Sequence, residues 1–409
     1  MSTTPSATTP SAATPIDATP ITGRPRLAHP EIAWAARRMP LLADTFDAVG
    51  SAFAGLRLGV TIHVEPKTAV LCQYLVHAGA EVVITGNVGT TQQPTVDALR
   101  AAGVEVLGSR ADTAVERDAH LDEILRREPQ LVLDNGGDLI LKLTAGAPRS
   151  PGFRGATEET TTGGLRIRSA EEQPDFPVIV INDSRLKLLV ENEFGVGQSI
   201  VQGFMNATNL MLPGARAGVV GYGPCGKGVA DTLRQLGATV TVADLDPFRQ
   251  LDALMRGHQV RPLNELLAEN DLVFLATGAR GVVDERGIAA LRDGAIVAGV
   301  GHEGLELDHE AFARATRETV ALSPAAGDAD ARVLHRLHDG REIVVLHTTR
   351  MINLTAAGGN PIQAMDLGLA LQARSLAAIA AGETAFTGAE PVPDAVDRVL
   401  AESLVRLLA

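Results

Sequence analysis

Apolar residues fall at helical spacing in EIAWAARRMPLLADTFDAVG (31–50), and the pattern then switches to a short β-branched run, LRLGVTIHV (56–64). TAVLCQYLVHAG (68–79) returns to helix and ends in glycine, and AEVVITG, DALRAAG and VEVLG (80–108) continue the rhythm. DEILRREPQLVLDNGGD (122–138) adds a helix and a strand, residues 143–175 read as irregular and polar, and FPVIVIND (176–183) is a strand. SRLKLLVENEFGVGQSIVQGFMNATNLML (184–212) predicts a long helix, a turn and a second long helix. A second alternating series follows, with strands in AGVVGYG, ATVTVAD, LVFLATG, GAIVAGVG, VALSP and EIVVLH. Alternation of this kind predicts right-handed βαβ units and parallel sheets. The fold class is α/β, with two doubly wound Rossmann-like domains joined by long hinge helices. The expected division is a substrate domain over 26–192 plus 356–388, a dinucleotide domain over 193–355 and a C-terminal helix over 389–409.

Length supports that division, since 409 residues are enough for two cores. A net charge of −13 argues against nucleic acid or an anionic membrane as partner. No uninterrupted apolar stretch reaches the roughly 18 residues of a membrane span. The first 25 residues, rich in Ser, Thr, Pro and Ala, read as a disordered tail without the features of a secretory signal. Only two cysteines occur, Cys72 and Cys225, so neither a disulfide framework nor a thiolate metal site is expected, and a cytoplasmic location is. No metal site is expected.

The clearest chemistry lies in ARAGVVGYGPCGKGVADTLRQLGATVTVAD (215–244). Gly221, Gly223 and Gly226 form G-x-G-x-x-G between a strand and a helix. The first permits a tight turn, the second lets a pyrophosphate reach the backbone, and the third lets helix and strand pack closely. Asp244 ends the next strand about 20 residues on, where a carboxylate grips the ribose 2′-hydroxyl and repels a 2′-phosphate. NAD is therefore the expected cofactor. Cys225, inside the loop, reads as a small spacer.

With GYGPCGKG and ADLDP in place, further segments build a resemblance: EETTTGGLRIR (158–168), INDSRLKLLVEN (181–192), GVGHEGLELD (299–308) and RMINLTAAGGNP (350–361). Together with AWAARRMPLL and LDNGGD (133–138), they resemble the S-adenosylhomocysteine hydrolase family, in order, from about residue 27 to about 375. The resemblance implies a tightly bound NAD that is recycled within each turnover. In that family a sugar 3′-hydroxyl is oxidised, the acidified C4′ proton is removed, the 5′ substituent leaves, water adds and the ketone is reduced. It implies catalytic roles for Lys187 beside the 3′-hydroxyl, for His63 and His302 at the 5′ end, and for Glu191, Asn192 and Asn135. Glu159 then grips the ribose, and Glu65, Lys67, Thr68 and Asn360 complete the substrate pocket. Thr160, Thr161, Thr162, Asn192, Thr277, Gly301, Asn353, Pro224 and Cys225 join the glycines and Asp244 around NAD. Lys187 is expected to act as a partly desolvated amine base. The partner is a small-molecule nucleoside, and a homodimer or homotetramer through the long helices is expected.

The departures from the family fall in the substrate pocket. HVEPKT places Glu65 and Lys67 where the family carries threonine and an adenine-reading Glu or Gln. Asn135 replaces the second aspartate of LDDGGD, Glu191 an aspartate, Val196 a cysteine and Asn360 the histidine of GHP, while Glu303 follows His302. The family's C-terminal Lys/Tyr tail is absent. These changes resemble the family's divergent members that tailor nucleoside antibiotics, of the psicofuranine-dehydratase type. The expectation is a dehydratase that expels the 5′-type substituent as water and leaves an unsaturated nucleoside. The rivals are an S-adenosylhomocysteine hydrolase releasing adenosine and homocysteine, and an inactive NAD-binding regulatory homologue.

Overall fold

The computed structural model describes residues 24–25, 29–301, 304–323 and 331–409. Most of the expected tail, residues 1–23, lies outside them, as do His302 and Glu303. Arg24, within the same expected tail, is held: its guanidinium donates to the Tyr74 hydroxyl at 3.2 Å and pairs with Asp47 at 3.2 Å.

The first sheet begins with β1 (Arg57–Thr61), β2 (Glu81–Thr85), β3 (Glu105–Leu107), β4 (Leu131–Asp134), β5 (Gly155–Glu158) and β6 (Pro177–Val180). The second comprises β7 (Arg216–Val220), β8 (Thr239–Ala243), β9 (Gln259–Val260), β10 (Leu272–Leu275), β11 (Ile296–Gly299), β12 (Thr316–Ala321), β13 (Arg332–Leu337) and β14 (Glu342–Leu346). A late strand, β15 (Gly388–Pro391), returns to the edge of the first sheet beside β6. The strand orders are β15-β6-β5-β4-β1-β2-β3 and β12-β13-β14-β11-β10-β7-β8-β9. The first sheet is parallel throughout; β13 runs antiparallel to both β12 and β14 in the second. Central strands such as β4 (LVLD) and β10 (LVFL) are buried on both faces, as helix-covered parallel sheets require. The helix Ile362–Ala380 crosses back from the second sheet into the core of the first, where it packs on the helix Pro40–Val49.

Four local expectations are corrected. The span 143–175 contains the central strand β5 and the helix Thr161–Ser169. Its polar residues tolerate burial because Glu158 accepts hydrogen bonds from Gly136 N and from the Thr160 amide and hydroxyl. The expected helix–turn–helix is one helical run from Arg185 to Thr208, widened to π geometry over Leu188–Gly195. Gly197 does not break it; a Cβ there would lie 2.5 Å from the Gly228 carbonyl oxygen, so the glycine lets this helix press against the helix Pro224–Gln235. The strand β13, between β12 and β14, and the short β15 were not expected, and the last helix spans Asp394–Leu408. Among the described residues no helix is long and apolar enough to cross a membrane.

Candidate active site

Both sheets reverse their strand order once, between β1 and β4 in the first and between β7 and β10 in the second. Such switch points open a crevice at the carboxyl ends of the strands. Here the two crevices share one cavity of about 1490 Å³, larger than the roughly 300–1,000 Å³ that holds a single small ligand. Its walls come from the segments after β1 (His63, Glu65, Thr68), β4 (Asn135), β5 (Glu159–Thr162), β7 (Gly221–Cys225), β8 (Asp244) and β10 (Thr277), with the helical run from Lys187 between.

The β7 side is built for a dinucleotide. Gly221 has φ +94°, and a Cβ would sit 2.8 Å from the Ala276 backbone; one at Gly226 would overlap the Gly221 carbonyl oxygen. Gly223 by contrast faces open space, with nothing nearer to its would-be Cβ than Arg249 Nη1 at 3.9 Å. That is the side on which a pyrophosphate meets the uncapped start of the helix Pro224–Gln235. Asp244 is held in place by donors, Tyr222 N at 2.6 Å and Asp246 N at 2.9 Å. Thr277 N and its hydroxyl donate to Glu306 at 2.6 Å, which fixes the loop after β10, and a Gly301 Cβ would lie 2.6 Å from the same carboxylate. Thr160 caps its helix by accepting from Gly163 N, and Asn353 donates to Ser199 Oγ and Asn360 Oδ1, both at 3.1 Å. Thr162 also lines the cavity. Burial pushes the Cys225 thiol up to about 12, which fits a spacer and not a redox thiol. The residues present therefore fit NAD. Gly226→Val is expected to abolish NAD binding in a titration and to lower the melting temperature, because its side chain has no room beside Gly221.

Across the cavity wall, Lys187 is buried between two carboxylates. Its ammonium pairs with Glu159 directly and with Glu191 at 3.4 Å, and Gln372 donates to the other Glu159 oxygen. Burial opposes the lysine's charge, but Glu159 and Glu191 outweigh it and hold its pKa at about 12. The expected desolvated amine is thus corrected to an ammonium. Burial raises Glu191 to about 7 despite the attraction of Lys187. Asn192 donates to Asn182 at 2.8 Å, and Asn182 donates to Thr161 at 2.6 Å, an amide relay joining the lysine helix to the loop after β5.

The segment after β1 differs from expectation. Glu65 caps the helix Pro66–His77, and Lys67 pairs with it at 2.7 Å while donating to Gly358 O at 2.6 Å. Glu65 and Thr68 line the cavity, whereas Lys67 stands behind the wall. Its charge is spent on Glu65, whose own pKa is raised, burial outweighing the lysine. His63 Nδ1 lies 3.0 Å from the Thr90 hydroxyl, and that hydroxyl gives its proton to Asn87 O. The neutral ring therefore carries its proton on Nδ1. Asn135 accepts from Asn87 at 2.9 Å, and Asn360 donates to Glu191 at 3.3 Å. Sequence reasoning missed Gln372, Asn182, Thr90 and Glu306; the one sequence signal for Gln372 is a glutamine inside the mostly apolar run AMDLGLALQARSL (364–376), and the structure buries it fully.

A glycine loop with a carboxylate at the end of the neighbouring strand, facing a buried lysine across a cavity sized for two ligands, defines an NAD-dependent enzyme of small-molecule chemistry. The comparisons narrow the class. Residues 192–359 match the family model "S-adenosyl-L-homocysteine hydrolase, NAD binding domain", and residues 25–151 match "S-adenosyl-L-homocysteine hydrolase". The S-inosyl-L-homocysteine hydrolase of Methanopyrus kandleri is 37% identical over 382 residues, covering 91% of this chain and 88% of its own length. The adenosylhomocysteinase of Archaeoglobus fulgidus is 38% identical over 349 residues, covering 84% of each. The chain belongs to the S-adenosylhomocysteine hydrolase family.

Proposed function

We propose that this enzyme hydrolyses the 5′-thioether of an S-nucleosyl-L-homocysteine, releasing a nucleoside and homocysteine. The observation that carries the reading is the Lys187 ammonium fixed between Glu159 and Glu191 on the wall facing the glycine loop. Two relatives named for S-inosyl- and S-adenosyl-homocysteine chemistry support it. NAD, when bound, supplies the oxidation of the sugar carbon and its later reduction. Glu159 accepts the ribose hydroxyls, Gln372 holding its far oxygen. Lys187 works as a relay: as the sugar hydroxyl gives its proton to the lysine nitrogen, the ammonium passes one of its own to Glu191, because a lysine held at about 12 does not first release a proton to a carboxylate at about 7. His63, in its protonated form, delivers a proton to the departing sulfur. Glu65, on the cavity wall with Lys67 behind it, presents an acceptor to the base, which suits the amino group of a 6-amino purine or the N1–H of a 6-oxo purine.

A pH profile tests the lysine–carboxylate exchange. Glu191 must be ionised to receive a proton, so kcat rises with pH through a limb near 7, and Glu191→Gln removes that limb while lowering kcat.

One observation favours a second reading. Asn135, where the family carries a carboxylate, is a neutral amide tied to Asn87, and cannot assist the adding water as a base. On that reading no water adds after a hydroxyl leaves from the 5′ end, and the ketone is reduced back, so the net reaction is a dehydration that yields an unsaturated nucleoside of the kind found in antibiotic biosynthesis. Mass spectrometry of the NAD-loaded enzyme with S-inosylhomocysteine, S-adenosylhomocysteine, adenosine and a ketose nucleoside separates the two. Homocysteine release establishes the hydrolase; loss of one water from a nucleoside establishes the dehydratase. We further infer a cytoplasmic enzyme with a nucleoside domain over 26–192 plus 356–388 and an NAD domain over 193–355. Exposed Phe194, Met205 and Met211 on and just after the hinge helix support a homodimer or homotetramer through that helix.

A further inference from the structure

We propose that Gly368 is a positioning residue, whose missing side chain forms the seat for the Glu191 carboxylate. Gly368 lies in the buried middle of the helix Ile362–Ala380 with an ordinary negative φ, so backbone conformation does not call for glycine. Glycine inside a helix is destabilising relative to alanine, so a packing reason is needed. The would-be Cβ supplies it. It would overlap Glu191 Oε2, with Glu191 Cδ at 3.3 Å and Glu159 Oε1 at 3.8 Å, and these are its three nearest atoms. All three belong to the two carboxylates that hold Lys187.

Glu191 is hemmed in elsewhere. Its Oε1 accepts from Asn360, Lys187 Nζ stands 3.4 Å from Oε2, and a Cβ at Gly195 would already be 3.9 Å from its Cγ. A methyl group at 368 drives Oε2 out of its place beside the lysine. The proposal rests on the reading above, in which Lys187 and Glu191 exchange a proton.

The test is a cycle of Gly368→Ala, Glu191→Asp and the double variant, each NAD-loaded, followed by kcat, KM, pH profile and melting temperature. Gly368→Ala is expected to lower kcat about 10- to 100-fold, as displacement of a reacting group by about 1 Å does, with KM changed less than about twofold. Its acidic limb also moves from the wild-type position. Shortening the carboxylate by one methylene clears the clash, so the double variant recovers activity over Gly368→Ala alone. An unaltered kcat and limb in Gly368→Ala, or losses that simply add in the double variant, would overturn the proposal. Should the wild type turn over no nucleoside, the functional reading fails, and melting temperatures decide the seat alone. A double variant more stable than the sum of the single changes supports it, and strict additivity refutes it.

Discussion

Lys187→Met lowers turnover by about 10³-fold, the middle of the range contributed by a positioned proton carrier, while NAD still binds. The expectation follows from what surrounds the ammonium. Methionine keeps most of the side chain's volume but leaves Glu159 and Glu191 buried without their cation. Two carboxylates on one site cannot both stay ionised at little cost, so Glu191, already near 7 with the lysine present, is protonated at neutral pH in the variant. The vacant cationic place cannot be filled by water carrying the same charge, and the sugar hydroxyl loses its proton acceptor. The glycine loop and Asp244 belong to the other sheet and keep their hydrogen bonds. Single-turnover kinetics and a separate NAD titration check the result. Retention of more than a tenth of wild-type kcat in an NAD-saturated variant would remove Lys187 from the proton path.

The two halves of the site were not equally legible. The glycine loop could be read from sequence because each requirement is local: a strand, three glycines, a helix and a carboxylate at the next strand's end. The lysine centre is assembled from the end of β5, the helical run after β6 and a helix nearly two hundred residues later, and only the family resemblance brought Lys187, Glu159 and Glu191 together. Gln372 and Gly368 escaped notice because an apolar helix hides which of its faces meets a charge. Lys67 was placed in the pocket by the family resemblance alone, yet the segment itself held the correction. Glu65-Pro66-Lys67-Thr68 is a capping box, with the Thr68 hydroxyl accepting from Glu65 N. A cap turns the Glu65 carboxylate back over the first turn, where it meets the Lys67 ammonium. The hinge misled for a similar reason. Gly195 and Gly197 read as a turn, but both serve close packing, and close packing depends on partners that the local pattern does not contain.

The second large effect concerns cofactor choice. Asp244→Ala weakens NAD binding by about 10- to 150-fold, which corresponds to the roughly 1.5–3 kcal/mol of a charge-assisted hydrogen bond. The carboxylate is positioned in advance by Tyr222 N and Asp246 N, so its grip on a ribose diol costs little reorganisation. The same charge faces any 2′-phosphate, and removing it relieves a repulsion in addition to removing an attraction. Arg249 makes the asymmetry larger: its Nη1 lies 3.7 Å from Asp244 Oδ2, and the guanidinium is half exposed on the cavity wall. Without the aspartate that cation is released to face the 2′ position. NADP affinity therefore rises as NAD affinity falls, and the ratio of the two dissociation constants moves further than either alone. Titration of both dinucleotides into wild type and Asp244→Ala measures that ratio directly. An unchanged preference for NAD would mean that discrimination resides in the shape of the loop after β8, with the carboxylate contributing affinity and no selectivity.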